Sequence, residues 1–438
     1  MVFNADDTIA AISTPLGMGG IGVVRLSGKT AFLIAKHLSK IENPQTHSAY
    51  HVWLPDDIDE IVMTFFKGPK SYTGEDVVEI SCHGSPFVVQ KILALALSSG
   101  ARQAGKGEFT KRAFLNGKVD LIQAESVLSL ISSQTEAAAK ISTFQLHGKF
   151  SRLIDALKLK MLSILSEIQG AIDFPEDIGH ELKLIPRVTI IFDQIDSLLS
   201  TYPYGKLLRN GVNVVIVGKP NVGKSSLLNA LLRESRAIVT NIPGTTRDAI
   251  IESLNIGGVQ FNLIDTAGIH ETTGTIEKEG IAIAKRQIDR ADLILLVFDA
   301  SAELDVIDEE VKALVAHKPC MAILNKVDLG VYNKTEGLFL SAQTGHGIAE
   351  LETAMLEFVV NKKGKSPDIV LMSERQADCL RKAKKLLQEV ISGIKIGASL
   401  DIISTQLQEG VEALSEMLGA RVGDEVLDKL FSEFCVGK

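Results

Sequence analysis

Cysteine is scarce and scattered. The 438 residues hold four, Cys82, Cys320, Cys379 and Cys435, with no CxxC pair among them. That spacing excludes a disulfide framework or a zinc knuckle and points to a reducing cytosol. Long hydrophobic runs are missing too, and a stretch such as "LILLVF" falls far short of membrane-spanning length. The first residues, "MVFNADDTIA", lack a basic segment followed by an apolar one, so no secretory signal is expected. A cytoplasmic location with no membrane partner follows as the expectation. Positive charge is not in excess: the net charge is −8, so a nucleic-acid partner would need a local basic patch or a second protein. What is present is ordinary globular composition, 45% hydrophobic and 23% charged, in a chain long enough for two or three domains.

Three textures follow one another. Up to about residue 120, short β-rich runs ("TIAAIS", "GIGVVRLSG", "EIVMTFF", "DVVEIS") surround one predicted helix, "PFVVQKILALALSSG", which reads as an α+β domain. The period then turns helical, with Ile154, Leu157, Met161, Ile164, Leu165 and Ile168 on one stripe until Pro175 breaks it. From about Gly211 the near-continuous apolar runs "VNVVIVG", "VQFNLIDTAG", "DLILLVFDA", "CMAILNK" and "GLFLSA" alternate with helices, as buried parallel strands do. After the linker-like "NKKGKSPD" the helical texture returns, with Leu400, Ile403, Leu407, Val411, Leu414 and Leu418 at steps of three or four. The simplest arrangement is a helical domain in two segments with a doubly wound α/β domain inserted between them. Two independent bundles are the alternative, though each half could barely bury its own stripe.

"GKPNVGKSS" fits G-x-x-x-x-G-K-[ST] from Gly218 to Ser225, after a strand and before a helix, which is the context this P-loop motif requires. Its backbone from Asn221, Val222 and Gly223 to Ser226 would curl around phosphates. Lys224 would supply charge to the β and γ oxygens, and Ser225 would offer a hydroxyl to Mg²⁺. "NKVD" follows a strand, and Asp328 can accept both N–H donors of the guanine edge, with Asn325 and Lys326 beside it. "SAQTG" brings the Ser341–Ala342 backbone near the base. Between these lie "PGTTRD", where Thr245 and Thr246 are candidates to complete the Mg²⁺ shell, and "DTAG", Asp265, Thr266, Ala267 and Gly268. In this order the motifs define a GTP site. One feature contradicts a hydrolase: Ras-type enzymes place a water-orienting glutamine just after DTAG, and here Ile269 and His270 stand there.

Order and spacing resemble the MnmE (TrmE) family of tRNA-modification GTPases. The resemblance rests on "GKPNVGKSS", "TNIPGTTRD", "DTAGIHET", "IDFPED" and the C-terminal "CVGK", and it covers the whole chain. It implies a homodimer whose G domains pair across the nucleotides, with K⁺ in place of an arginine finger. The K⁺ ligands would be the Asn221 side chain and the carbonyls of Thr240, Ile242 and Thr245, with Asn241, Pro243 and Gly244 completing the loop around Thr246. By itself, Asn221 could equally be a tolerated polar loop residue. The resemblance also moves the water-orienting role downstream to Glu277; spacing alone leaves Glu271 and Glu279 open.

The same resemblance implies an N-terminal tetrahydrofolate-binding-like and dimerisation domain. It would take a 5-formyl- or methylene-tetrahydrofolate on Arg25, Glu79, Lys118 and the tail residue Lys438. Without the family, each of these residues reads as an ion-pair or surface residue. Ser85 departs from a family glycine in "SCHGSP", and Val436 from the usual isoleucine in the tail. Cys435 is a candidate nucleophile or a small residue closing a helix. Phe431 and Phe434 would anchor that helix and aim Cys435 and Lys438 outward. "RKAKK" and "NKKGK" read as solvated helix faces or linkers, with a tRNA contact as the alternative. The expected partition is 1–120 N-terminal domain, 121–208 helical, 209–365 GTPase and 366–438 helical with the tail. The expected function is a K⁺-stimulated, Mg²⁺-dependent GTPase. With the flavoprotein MnmG, in a heterotetramer, it would place an aminomethyl or carboxymethylaminomethyl group on C5 of the tRNA wobble uridine. A ribosome-assembly GTPase switch is the alternative, distinguished by the N-terminal residues and the tail.

Overall fold

The structure is a computed structural model that describes residues 7–174, 183–234, 236–237, 251–265, 285–332, 335–363 and 369–438. It comprises two compact units. The first is Met1–Leu128 with Phe144–Leu159 and Val411–Lys438; the second is Ser129–Thr143 with Lys160–Gly410.

The first unit is organised by a six-stranded sheet. Its strands are β1 (Ile9–Ile12), β2 (Gly19–Ser27), β3 (Ser48–Trp53), β4 (Glu60–Phe66), β5 (Val77–Gly84) and β6 (Arg102–Gln103), in the order β3-β4-β5-β2-β1-β6. All neighbours are antiparallel except β1 and β6. Strand period two divides the residues between faces. Val24, Leu26, Ile61, Met63, Phe65, Val78 and Ile80 enter one core with helix residues Ala31, Ile34, Ala35, Val89, Ile92 and Ala96. The alternate residues reach the other face, where Ile9, Ala11, Ala104 and Phe109 form a second, smaller cluster beside Tyr72. β3 and the helices Ala31–Ser39 and Glu108–Leu115 add to the elements read from sequence. Ser85 takes an extended conformation (φ −77°, ψ 127°) just before helix Pro86–Ser98. Nothing there requires a glycine.

The chain's end belongs to this unit. Helix Asp424–Ser432 buries Leu427 and Phe431, which join Phe434, Leu121 and Ala124 in one cluster.

Among the described residues of the second unit, a seven-stranded sheet runs β13-β12-β11-β7-β10-β9-β8. The strands are β7 (Val212–Val217), β8 (Arg236–Ala237), β9 (Ile251–Ile256), β10 (Val259–Asp265), β11 (Leu293–Asp299), β12 (Cys320–Asn325) and β13 (Leu338–Phe339). The five runs read as strands are mutually parallel. β9 and β8 extend them as an antiparallel edge, so the sheet is mixed. Both faces are apolar. Val212, Val214, Ile216, Leu293, Leu295 and Val297 point to one core, while Val215, Val217, Ile294, Leu296 and Phe298 point to the other. Burial on both faces is why these strands show no polar alternation.

Of the first helical stripe, Ile154, Leu157, Met161, Ile164 and Ile168 are buried on the 25-residue helix Lys149–Asp173. Helices from either side of the α/β sheet in sequence meet in the second unit. Lys384 of helix Glu374–Lys395 pairs with Asp196 of helix Leu184–Leu199 at 2.6 Å. The chain enters and leaves the sheet at one clamp. Leu371 N–H donates to Thr201 Oγ1 at 3.1 Å, and a Cβ on Gly205 would lie 2.0 Å from Leu371 O.

Candidate functional site

The P-loop joins β7 to helix Lys224–Glu234, so its amides open onto a helix N-terminus, where anions are favoured. The chain turns left-handed at Asn221 (φ 64°) and Gly223 (φ 95°). Asn tolerates that conformation better than most side chains, which gives residue 221 a backbone reason for its identity apart from any cation. At Gly223 a Cβ would sit 2.2 Å from Asn325 Nδ2, so only glycine fits. Lys224 is buried, and its ammonium donates to Gly218 O at 3.0 Å and Lys219 O at 2.9 Å. The head is thereby poised inside the loop where phosphate oxygens would compete for it. Ser225 and Ser226 are exposed in the first helical turn, and Val222 is buried under the loop.

Asn325 knits the two ends of the site. Its Nδ2 donates to Val222 O at 2.8 Å, and its Oδ1 accepts from Ala342 N–H at 2.9 Å. One buried side chain therefore fixes the P-loop, the end of β12 and the Ser341–Ala342 turn together. Lys326 follows with φ 70°, and its ammonium pairs with Asp299 at 2.6 Å. Asp328, in the short turn Val327–Leu329, leaves its carboxylate exposed.

Two anchors of this site escaped the sequence reading. Lys219, a variable position of the motif, reaches Asp305 at 2.9 Å and Asp308 at 2.7 Å. Those two aspartates form a capping box at the start of helix Val306–Val315. The hydrogen bond to Asp308 raises the Lys219 pKa above the ordinary lysine value, against the effect of burial and with Asp305 adding to it. The other anchor is Asp299. The D-x-x-D spacing of a capping box was the available signal for the first; only the β11–β12 register reveals the second.

Thr240, Asn241, Ile242, Pro243, Gly244, Thr245, Thr246, Thr266, Ala267, Gly268 and Glu277, with Glu271 and Glu279, lie outside the described residues. For Asp265 the backbone is described, at the end of β10.

In the first unit, Arg25 and Glu79 are direct partners in the β2–β5 register and both point away from the main core. Their side chains join through Arg25 Nε and Nη2 to Glu79 Oε1, at 2.8 and 2.7 Å. The guanidinium lies 5.2 Å from the centroid of Tyr72 and 5.7 Å from that of Phe109. Neither ring was singled out in the sequence.

The tail closes against this cluster. Gly437 O accepts from Ser13 Oγ at 3.1 Å and from Arg25 Nη1 at 3.5 Å; Lys438 O accepts from Phe109 N–H at 3.2 Å. Gly437 is left-handed (φ 94°), with the site of a Cβ only 2.1 Å from Ile12 O. Phe431 and Phe434 are buried, and Cys435 is exposed while its carbonyl accepts from Gly107 N–H at 3.3 Å.

The expectation that Lys438 points outward with Cys435 does not hold. Lys438 is half-buried; burial first, then the Arg25 guanidinium, push its pKa down, and the Glu79 carboxylate partly offsets them. Arg25, Glu79 and Lys438 thus share one neighbourhood. Lys118 is exposed and donates instead to Pro69 O at 2.9 Å.

The "RKAKK" run is a solvated face of helix Glu374–Lys395. Arg381 pairs with Glu374 and Asp378, and Lys384 with Asp196. Among the described residues, no helix is long and apolar enough to cross a membrane.

A mostly parallel sheet with a P-loop after β7 and the NKVD loop after β12 defines the class: a P-loop GTPase-like α/β fold within a larger chain that also carries helical parts. Family models match residues 121–435 as the MnmE helical domain and residues 8–118 as the N-terminus of the GTP-binding protein TrmE. The chain belongs to the MnmE family. It is 41% identical over 462 residues to the tRNA modification GTPase MnmE of Desulforamulus reducens, covering 99% of this chain and 100% of that one. To the protein of that name in Alkaliphilus metalliredigens it is 42% identical over 458 residues, covering 99% of each. Solved structures that match include Era of Aquifex aeolicus bound to GDP·AlF4⁻, at 30% identity. That match covers 40% of this chain and 66% of that chain, with a TM-score of 0.28. The G domain of the Thermotoga maritima FeoB iron transporter matches at 27% identity over 34% of this chain and 98% of that chain, with a TM-score of 0.25. Overlaps at these TM-scores do not bear on the fold.

Proposed function

We propose that this chain hydrolyses GTP in a K⁺-stimulated, Mg²⁺-dependent cycle that serves modification of the tRNA wobble uridine. Its membership of the MnmE family makes it a GTP hydrolase acting in tRNA modification. The observation that carries the nucleotide reading is Asn325, which joins the P-loop to the Ser341–Ala342 turn by two hydrogen bonds of 2.8 and 2.9 Å. Asn221, Val222, Gly223, Lys224, Ser225 and Ser226 would hold the phosphates. Ser225, exposed at the helix start, fits as a Mg²⁺ ligand with Thr246. Asn221, exposed beside it, fits as a K⁺ ligand with the carbonyls of Thr240, Ile242 and Thr245. Bound K⁺ would supply the charge that an arginine finger supplies elsewhere. Asp265 to Gly268 would sense the γ-phosphate, and Glu277 would orient the water.

The Arg25–Glu79–Lys438 cluster supports a folate reading. A carboxylate can read the donor edge of a pterin, while the cations suit glutamyl carboxylates. Tetrahydrofolate would supply the one-carbon unit. Lys118, directed to Pro69 O, would have to turn to take part. We assign residues 1–120 to folate binding and dimerisation, 209–365 to GTP, and 121–208 with 366–438 to a helical domain that also carries the tail. The flavoprotein MnmG, in a heterotetramer, would supply redox chemistry. The product would be an aminomethyl or carboxymethylaminomethyl group on C5, made in the cytoplasm, with Cys435 exposed as a candidate chemical handle.

Two measurements test this. Hydrolysis should be much faster in K⁺ than in Na⁺, with Asn221→Ala removing most of the difference. Equal rates in the two salts would sink the cation assignment. Nucleoside mass spectrometry of tRNA from a deletion strain should show loss of the wobble modification, and an unchanged profile refutes the pathway.

A further inference from the structure

Asp299 ends β11 directly opposite Asn325 in the parallel β11–β12 register. Its Oδ1 accepts from the Ser301 amide at 2.9 Å and from the Ser301 hydroxyl at 2.6 Å, so the carboxylate is fixed by its own loop. Its Oδ2 is given to the Lys326 ammonium at 2.6 Å. Lys326 sits in the left-handed region (φ 70°, ψ 36°), which a residue bearing a Cβ adopts uncommonly and only when its surroundings hold it. The turn from Val327 to Leu329 follows that residue, is also tied by Val327 N–H to Leu340 O at 3.3 Å, and leaves Asp328 exposed.

The stem of the loop is secured without Asp299's side chain. Asn325 binds Val222 O and Ala342 N–H, and Asn325 O accepts from Ala300 N–H at 2.7 Å. What the carboxylate adds is therefore confined to Lys326 and the turn beyond it. A second observation agrees with a charged, committed pair: burial raises the Asp299 pKa, but the bonds from Lys326 and Ser301 outweigh it and hold the carboxyl below the usual range.

We propose that Asp299 is a positioning residue for guanine selection: by holding Lys326 in its left-handed turn, it sets the angle at which Asp328 meets the base. It contributes discrimination rather than turnover, and it touches neither the phosphates nor the reacting water. The inference deepens the nucleotide reading and rests on Asp328 as the acceptor of the guanine N1–H and 2-amino donors. Inosine lacks the 2-amino group, so an Asp328 held off-angle loses more on GTP than on ITP.

The test uses the full-length protein with GTP and ITP as probes. Asp299→Asn keeps the shape and an oxygen for Ser301 but removes the charge facing Lys326. It should weaken GTP binding about tenfold, the worth of one charge-assisted hydrogen bond, and change ITP binding by less than about twofold. The GTP:ITP preference then falls while kcat at saturating GTP holds and KM rises. Lys326→Met should reduce the preference similarly, and the double variant should be no worse than either single one, since both remove the same contact. Parallel losses for GTP and ITP with the preference intact, or additive losses in the double variant, overturn the proposal. A different result marks failure of the underlying reading: Asp328→Asn retaining its preference for GTP over xanthosine triphosphate.

Discussion

In the nucleotide site the chain turns left-handed at Asn221, Gly223 and Lys326, so loop backbone shapes the site. In the N-terminal cluster, β2 and β5 are regular strands, and recognition would fall to Arg25, Glu79 and a tail folded against them. The first site is held by side chains bonded within the fold: Asn325, Lys219 with Asp305 and Asp308, and Lys326 with Asp299. The second is closed from above by a segment fastened through backbone carbonyls of Cys435, Gly437 and Lys438. A site made of loops on a rigid sheet should lose chemistry when one group is removed. A site closed by a tail should lose affinity when the tail is displaced, with its sheet unharmed.

The sharpest contrast comes from Lys224→Ala. Removing a preorganised cation from the transferring phosphoryl group should lower GTP turnover by roughly 10³-fold. Folate binding should not change, because Lys224 belongs to the other unit. A fall in folate affinity of similar size would break the separation of the two sites. Next in size is Asp328→Asn, which loses two charge-assisted acceptors on guanine. GTP affinity should drop by about 10²-fold while xanthosine triphosphate improves, since the amide donates where the carboxylate accepted. Competition binding with the two nucleotides reads this directly.

The same difference explains what the sequence made legible. P-loop, NKVD and SAQTG are legible because each is a single short loop at the end of a strand, so its residues are consecutive. The five apolar runs were readable because a sheet covered on both faces needs no polar alternation. Strand β9, next to the edge strand β8, was missed, as were β3 and the helix Glu108–Leu115. "EFTKRAFL" buries Glu108, Thr110 and Arg112, and polar burial defeats a hydrophobic pattern. Arg25 and Glu79 are 54 positions apart and Lys438 is at the far end, so only strand register and the docked tail bring them together. Tyr72 and Phe109, the rings facing Arg25, carried no motif at all. Family resemblance named three members of that neighbourhood, while its fourth, Lys118, is turned elsewhere.

Gly437→Ala probes the tail without shortening it. The substitution places a Cβ in a left-handed residue, 2.1 Å from Ile12 O, and the backbone must move. Left-handed conformation alone costs a residue with a Cβ about 1–2 kcal/mol, enough to weaken 5-formyl-tetrahydrofolate binding about tenfold if tail docking is coupled to it. GTP hydrolysis should stay at the unsubstituted rate. Full folate affinity in Gly437→Ala would mean that the tail and the pterin site are independent.

The smallest effect expected is in pH dependence, and it belongs to the tail as well. The Lys438 pKa is lowered by burial and by Arg25. A base whose folded pKa lies below its unfolded one opposes folding while it is charged. That cost is fully present below the folded value and is relieved as pH rises through it toward the ordinary lysine value. Stability of the first unit should therefore climb slightly over that alkaline interval, and Lys438→Met should remove the climb. An anionic ligand reverses the sign locally. A carboxylate beside the ammonium favours the charged form, so folate binding should take up a fraction of a proton just above the lowered pKa, and its affinity should decline as pH rises further. Calorimetric titrations in two buffers of different ionisation enthalpy measure that uptake. If the uptake persists unchanged in Lys438→Met, the proton belongs to another group, and the tail's ammonium does not face the ligand.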